Sequence, residues 1–250
     1  MPRQYSTYSS SYSVGPGPLS TAIKWLIVTN VVVFLAQSVV PGLTFTLGLV
    51  PSAVVESFYV WQPATYMFLH AGLFHLVFNM LALWMFGTEL ERLWGTRAFV
   101  RYYFVTGIGA GLLTVAFSLA PFDVARQLQH AIIIGASGAV YGLLLGYALH
   151  HPNRPIYFYF FFPVPAKYFV MIIGAIAFYS SLGAGNGVAN ATHLGGLVVG
   201  YLYLKGGNIL PRHPRSDLKY WYLRWKFSRA RKKFGVYEGG RSDDWNRRVH

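Results

Sequence analysis

The chain of 250 residues contains no cysteine. That excludes a disulfide framework, a thiolate nucleophile and any cysteine-bound metal, and leaves the redox compartment unread. Acidic residues are scarce, 8 against 21 Lys and Arg, and none lies deep inside an apolar run. Glu56 and Asp123 fall in loops, while Glu89 and Glu91 close the second apolar run. A proton-coupled transporter would need acids within its spans, and inverted repeats are not evident either. Despite 8 histidines there is no H-E-x-x-H, the helix signature of a zinc protease. Charged residues make up only 12%, hydrophobic residues 54% and aromatic residues 18%, with mean hydropathy +0.38. A soluble domain of this length is not built that way, so the chain reads as a membrane protein.

Apolar stretches fall near 21–40, 73–90, 98–120, 131–149, 167–183 and 189–204. Each approaches the roughly 20 residues needed to cross about 30 Å of hydrocarbon. The expectation is an all-α, six-span bundle occupying 21–206, with a disordered tail over 1–20 and a basic tail over 207–250. The first twenty residues have no apolar core ending at a small-residue cleavage site, so no cleavable signal peptide is expected. Some spans are interrupted by Gly, His and Asn, which implies polar groups turned inward against neighbouring helices.

Orientation follows from the basic residues. Arg3 and Lys24 precede the first span; Arg92, Arg97 and Arg101 lie between spans two and three; Arg154 and Lys167 lie between four and five; thirteen more follow span six. The loops on the other side carry Arg126 alone. The positive-inside bias therefore places both termini in the cytoplasm, and the formal charge of +13 reflects this asymmetry, not a nucleic-acid surface. Within the tail, LKYWYLRWKFSRARKKF (218–234) spaces Leu218, Trp221, Tyr222 and Trp225 helically among basic residues. It reads as an amphipathic helix on the anionic inner leaflet, with a plain solvated tail as the alternative.

With this topology spans two, four and six all descend from the outer face. Span four carries GASGAVYG, with Ser137 about five residues in, or roughly 8 Å below its end at helical rise. Span six opens NATHLGGLVVG with His193, and span two opens LFHLVFNM with His75 and Asn79 four apart on one helix face. Singly, each has an ordinary structural reading: a serine between Gly135 and Gly138 permits close helix contact, and a buried histidine or asparagine bonds a neighbour. Together they share one depth and suffice for acyl transfer. Serine needs a base, which neutral histidine supplies, and an oxyanion needs donors, which His75, Asn79 and the Ser137 backbone N–H can provide. No carboxylate is placed to complete a triad, so the expectation is a Ser-His dyad. Tyr141, one turn after Ser137, lies on the right face to stack against the imidazole.

At these residues the sequence resembles the rhomboid intramembrane serine proteases. The similarity runs from about Lys24 to Lys205 and rests on FLHAGLFHLVFNM, GTELERLWG, GASGAVYG and HLGGLVVG in that order. A bare G-x-S-x-G also marks soluble hydrolases, but the four patterns on spans two, four and six are specific. The resemblance implies Ser137 as nucleophile and His193 as general base and acid. It also implies His75, Asn79 and the Ser137 amide as the oxyanion hole, Gly135 and Gly138 around the nucleophile, and Tyr141 packed on His193. Gly196 and Gly200 would let span six press against span four. Neither metal nor other cofactor is implied. The implied substrates are single-span membrane proteins, cut near the outer face of a bilayer that would be a bacterial inner membrane. A substrate helix would enter near span five, under a glycine-rich cap SSLGAGNGVAN, and unwind. One departure stands in the first outer loop, where Trp61-Gln62 replaces a usual Trp-Arg; Trp61, Tyr66 and Phe68 there suit headgroup level. The alternative class is a catalytically silent rhomboid-like protein that binds transmembrane clients.

Overall fold

The computed structural model describes residues 17–121, 123–158, 162–181 and 187–207, together with Lys226. The chain divides into two units, 1–209 and 210–250. The amino-terminal tail up to residue 16 and the amphipathic reading of 218–234, Lys226 apart, lie outside the described residues.

The first helix, α1 (Thr21–Val39), starts where Ser20 caps it: the Ser20 hydroxyl accepts from the Ile23 N–H and donates to the Glu91 carboxylate. Its residues are mostly apolar, and Asn30 and Gln37, two turns apart, occupy one face. The loop that follows is structured. It holds α2 (Leu43–Leu47), α3 (Pro51–Glu56, with Pro at its first position), α4 (Gln62–Thr65) and a 3₁₀ turn over Tyr66–Phe68. Next come α5 (Leu73–Ala82), a π-helical turn at Leu83–Gly87, and α6 (Thr88–Trp94), one continuous helical stretch. Then follow α7 (Thr96–Ser118), the short α8 (Asp123–Gln129), α9 (Ser137–His150), α10 (Ala166–Ser181) and α11 (Gly187–Lys205).

Three helical stretches among the described residues, Thr21–Val39, Leu73–Trp94 and Thr96–Ser118, are long and apolar enough to cross a membrane, and Ala166–Ser181 is a shorter apolar helix. The chain is mostly helical, with one departure from an all-α reading. Strands β1 (Pro155–Phe158) and β2 (Phe162–Pro165) pair antiparallel, Ile156 opposite Val164 and Phe158 opposite Phe162. The aromatic run between α9 and α10 is bounded by Pro155 and Pro165, which cannot donate helical hydrogen bonds, so extended pairing wins.

Helices α7, α9 and α11 make the most intimate contacts. Glycines allow it. A Cβ on Gly142 would stand 2.7 Å from Thr106, one on Gly109 2.7 Å from Val199, and one on Gly195 3.1 Å from the Ala110 backbone. Apolar lipid tails give helices no hydrophobic reason to associate, so close backbone approach and interhelical hydrogen bonds carry the cohesion. The bonds are present: Tyr102 OH donates to the Gly142 carbonyl at 2.7 Å, Tyr66 OH to the Gly107 carbonyl at 2.7 Å, and Thr114 pairs with Thr192 at 3.0 Å. The Thr192 hydroxyl of the N-A-T sequence is therefore inside the bundle.

Two expectations need correction. Tyr66 is 1% exposed, a core residue bonded to α7 and not a headgroup-level anchor. Trp61, by contrast, is 42% exposed and stacks on Tyr59. The helix carrying Ser137 also begins at that residue and not near 131, so helical rise does not give its depth. Residues before it are extended: Leu49 and Ile133 exchange two backbone hydrogen bonds of 2.9 Å, and the Gly135 N–H bonds the Tyr66 carbonyl at 2.9 Å. Gly135 then turns the chain with φ +125°, a conformation that side-chain-bearing L residues rarely adopt.

The first loop is stapled by the residue that departs from the family pattern. Gln62 is fully buried; its Oε1 accepts from the Val50 N–H at 2.9 Å, and its Nε2 donates to the carbonyls of Phe45 at 3.2 Å and Thr46 at 3.5 Å. Trp61 Nε1 and Thr65 Oγ1 add bonds to Thr46 and Leu47. A neutral amide thus binds the loop backbone on both donor and acceptor sides. Replacing Gln62 by Ala leaves buried loop groups unpaired, each at about 1–3 kcal/mol. The expected outcome is a lower Tm in detergent, with the loss concentrated in protease sensitivity of residues 43–62; an unchanged Tm would contradict the staple.

Candidate active site

The Ser137 hydroxyl stands at the first residue of α9, and His193 on α11 brings its Nε2 to 2.8 Å from Oγ. Both side chains are half-buried. The contact depends on how closely the two helices meet. A Cβ on Gly196 would sit 2.0 Å from the Gly138 carbonyl oxygen, and one on Gly200 2.6 Å from Tyr102 OH and 3.3 Å from Gly142 Cα. Gly138 is equally confined, by Tyr66 OH at 2.9 Å and Ala110 Cβ at 3.0 Å.

Tyr141, on the turn after Ser137, lies flat on the imidazole, with ring centroids 4.3 Å apart and an interplanar angle of 7°. This fixes the ring plane. The other ring nitrogen, His193 Nδ1, is buried without a hydrogen-bond partner among the described residues. The membrane-proximal carboxylates are engaged elsewhere: Glu89 with Arg154 at 3.1 Å, and Glu91 with Ser20 and Thr96. If Ser137 donates to Nε2, the imidazole proton is on Nδ1, and the stack of Tyr141 is the contact that holds the ring where a triad would have a carboxylate.

Beside the hydroxyl, a Cβ on Gly135 would meet His75 Cε1 at 2.7 Å and Nε2 at 2.8 Å, and would lie 3.6 Å from Ser137 Oγ. Glycine at 135 is needed twice, for the φ and for the space. His75 Nδ1 accepts a hydrogen bond from the Ala71 N–H at 3.3 Å. A ring nitrogen that accepts is unprotonated, so the proton belongs on Nε2, the atom facing Gly135 and Ser137. Asn79 follows one turn later on the same buried face, its Nδ2 donating to the His75 carbonyl at 2.9 Å, which uses one of its two amide hydrogens. Phe74 and Phe78 point outward on the opposite face. The N–H groups of the first turn of α9, that of Ser137 included, have no intrahelical acceptor.

Ser137, His193, Tyr141, Gly135 and His75 are thus brought together, Gly138 and Gly196 lie where α9 and α11 meet beside them, Gly200 packs farther along against Tyr102 and Gly142, and Asn79 bonds the His75 carbonyl. The glycine-rich segment read as a cap falls partly outside the described residues, at 182–186, and its end, from Gly187, is already α11. No group of three or more His, Cys, Asp or Glu side chains suited to a metal occurs among the described residues.

A family model described as Rhomboid domain matches residues 57–206, which include His75, Asn79, Gly135, Ser137, Tyr141 and His193. The chain belongs to the rhomboid family. It is 30% identical over 186 residues to RHOMBOID-like protein 2 of Arabidopsis thaliana, covering 74% of this chain and 52% of that one. It is 34% identical over 144 residues to Rhomboid protease GluP of Bacillus subtilis, covering 56% of this chain and 25% of the relative. Rhomboid protease AarA of Providencia stuartii is 31% identical over 160 residues, covering 57% and 54%. The chain spans between about a quarter and about half the length of these curated relatives. As a rhomboid with several apolar helices it is an integral membrane protein. The family includes serine proteases that act within the bilayer.

Sequence reasoning missed two glutamines that bind loop backbone: Gln37, at His70, and Gln62 in its role as staple. The first had a legible signal. Asn30 and Gln37, seven residues apart in a mostly apolar helix, share a face, and that face turns inward because a polar side chain towards lipid stays unsatisfied.

Proposed function

We propose that the protein is an intramembrane serine endopeptidase that cuts single-span membrane proteins near the outer face of the bilayer with a Ser137–His193 dyad. The observation that carries this reading is the 2.8 Å contact between His193 Nε2 and Ser137 Oγ. Six helices span the membrane with both termini inside, in accord with the distribution of Lys and Arg, and the setting is a bacterial inner membrane. Helix α9, about 21 Å long at 1.5 Å per residue, is shorter than about 30 Å of hydrocarbon. The extended segment before Ser137 covers the remaining depth, so the hydroxyl lies below the headgroups in this reading.

In the reaction, Ser137 Oγ attacks the scissile carbonyl carbon while His193 Nε2 takes the hydroxyl proton. The carbonyl oxygen becomes an anion and accepts hydrogen bonds from the Ser137 N–H, His75 Nε2–H and the free amide hydrogen of Asn79. His193 then protonates the leaving amide nitrogen, the C–N bond breaks, and an acyl-serine remains. Water, deprotonated by His193, attacks that ester; the carbon–Oγ bond breaks and the proton returns to Ser137. A substrate helix must unwind locally, because a helical amide is hydrogen-bonded and shielded.

The test uses the full chain in proteoliposomes with a single-span reporter. Two fragments, and a fluorophosphonate adduct mapped by mass spectrometry to Ser137, are expected. An uncleaved reporter with Ser137 unlabelled would favour the client-binding alternative. The stack of Tyr141 on His193 makes its own prediction. Loss of an aromatic pair of about 1 kcal/mol should lower kcat roughly 5- to 10-fold in Tyr141→Ala, whereas Tyr141→Phe, which keeps the ring, should match the parent. Equal losses in both variants would point to the hydroxyl instead.

A further inference from the structure

The ring of His75 is held by a chain of contacts that begins on α1, and we propose that Gln37 is the positioning residue that fixes its tautomer and aim. The inference rests on the reading of His75 as an oxyanion donor. It assigns a part in the reaction to a helix that carries none of the residues given a chemical role in the reaction above.

Gln37 binds both backbone groups of one residue in the loop before α5. Its Oε1 accepts from the His70 N–H at 2.8 Å, and its Nε2 donates to the His70 carbonyl at 3.4 Å and to Thr44 Oγ1 at 3.1 Å. Exchanging the amide oxygen and nitrogen would set donor against donor and acceptor against acceptor, so the network itself decides the orientation. The side chain acts on His70 as a neighbouring strand would.

The consequence comes from peptide planarity. The His70 carbonyl and the Ala71 N–H belong to one rigid plane and point in opposite directions. Gln37 grips the carbonyl side of that plane, and the N–H side donates to His75 Nδ1 at 3.3 Å. With the plane held this way, Nδ1 is an acceptor and the proton stays on Nε2, facing Gly135 and Ser137. If the plane turned over, a carbonyl oxygen would face Nδ1. The ring would then be stabilised with its proton on Nδ1, and Nε2 would present a lone pair to the developing oxyanion, repelling what it should bind.

Little else resists such a turn. The neighbouring residue is Gly72, around which a Cβ would meet nothing within 4 Å, and Ala71 is exposed. The His70 ring is 2% exposed and packs edge-on against His75, with centroids 5.0 Å apart, but neither of its nitrogens has a hydrogen-bond partner among the described residues. That contact restrains the position of the His75 ring without choosing its tautomer. Gln37 is the group whose hydrogen bonds choose.

A double-mutant cycle tests this in proteoliposomes, with kcat, KM and Tm measured for Gln37→Met, His75→Ala and the double variant. Gln37→Met is expected to lower kcat by up to about 10²-fold, as a misplaced reacting group does, with KM unchanged and no further loss in the His75→Ala background. Nitrogen NMR of labelled histidine should show His75 leaving the Nε2–H tautomer. Equal losses from Gln37→Met in both backgrounds, or an intact tautomer, would overturn the proposal while leaving His75 as a donor. An unchanged kcat in His75→Ala would overturn the oxyanion reading and, with it, the role of Gln37. Should Gln37→Met not fold, Gln37→Glu keeps the acceptor for the His70 N–H, loses the donor to the carbonyl, and enters the same cycle with the same expectation.

Discussion

Ser137→Ala is expected to lower reporter cleavage on the order of 10⁴- to 10⁶-fold, the range in which removal of a nucleophile or its base leaves only binding and oxyanion stabilisation. His193→Ala should fall in the same range, and the two together should be no worse than either alone, because nucleophile and base act as one unit across their 2.8 Å contact. The variants separate in covalent labelling. Ser137→Ala removes the atom that a fluorophosphonate modifies, whereas His193→Ala keeps it and slows the reaction. Both proteins should retain the parent Tm to within about 2–4 °C, the shift that about 1 kcal/mol makes in a chain of this size, since the side chains are only half-buried. Cleavage undiminished in Ser137→Ala would remove the proposed nucleophile altogether.

The second large effect comes from a residue with no chemistry of its own. A methyl group on Gly196 would lie 2.0 Å from the Gly138 carbonyl oxygen, a backbone atom on the first turn of α9 that has no flexible end to swing aside. The helices must part, and Ser137 and His193 are one on each. Overpacking of this kind destabilises by about 1–3 kcal/mol, while a displacement near 1 Å at the reacting atoms lowers the rate about 10²-fold. Gly196→Ala should therefore lose activity out of proportion to stability. Gly174→Ala on α10 is the comparison, since its Cβ would meet only the end of Leu197 at 3.2 Å, a side chain that can move. Thermal unfolding together with the labelling rate of Ser137 reads both effects. Full activity in Gly196→Ala would mean that α11 can shift without separating the pair.

The motifs of the candidate active site were legible because membranes make polar residues informative. A serine, two histidines and an asparagine in apolar runs would remain unsatisfied towards lipid, so their presence already implied partners. Their spacing settled which faces they occupy: His75 and Asn79 four apart, Ser137 and Tyr141 four apart, His193 and Gly196 three apart. The extended entry to Ser137 was not legible. The residues AIIIG at 131–135 are apolar and read as the start of a span, whereas pairing of Ile133 with Leu49 and the left-handed turn at Gly135 hold them out of the helix. The register of that pairing depends on a loop more than eighty residues earlier, which no local pattern encodes.

Composition and hydrophobic run length were enough, by themselves, to establish a helical membrane protein, because each is a local property that the bilayer screens one segment at a time, while the rhomboid family was reached through the resemblance of four motifs in order. Tertiary structure alone decided what depends on two backbones meeting. That includes the approach of α11 to α9 at Gly196, the flat stack of Tyr141 on His193, the grip of Gln62 on the first loop, and the peptide plane that Gln37 holds against His75. The physical reason is range: hydropathy acts residue by residue, whereas a hydrogen bond or a methyl-sized gap is set by atoms from distant parts of the chain to within a few tenths of an ångström.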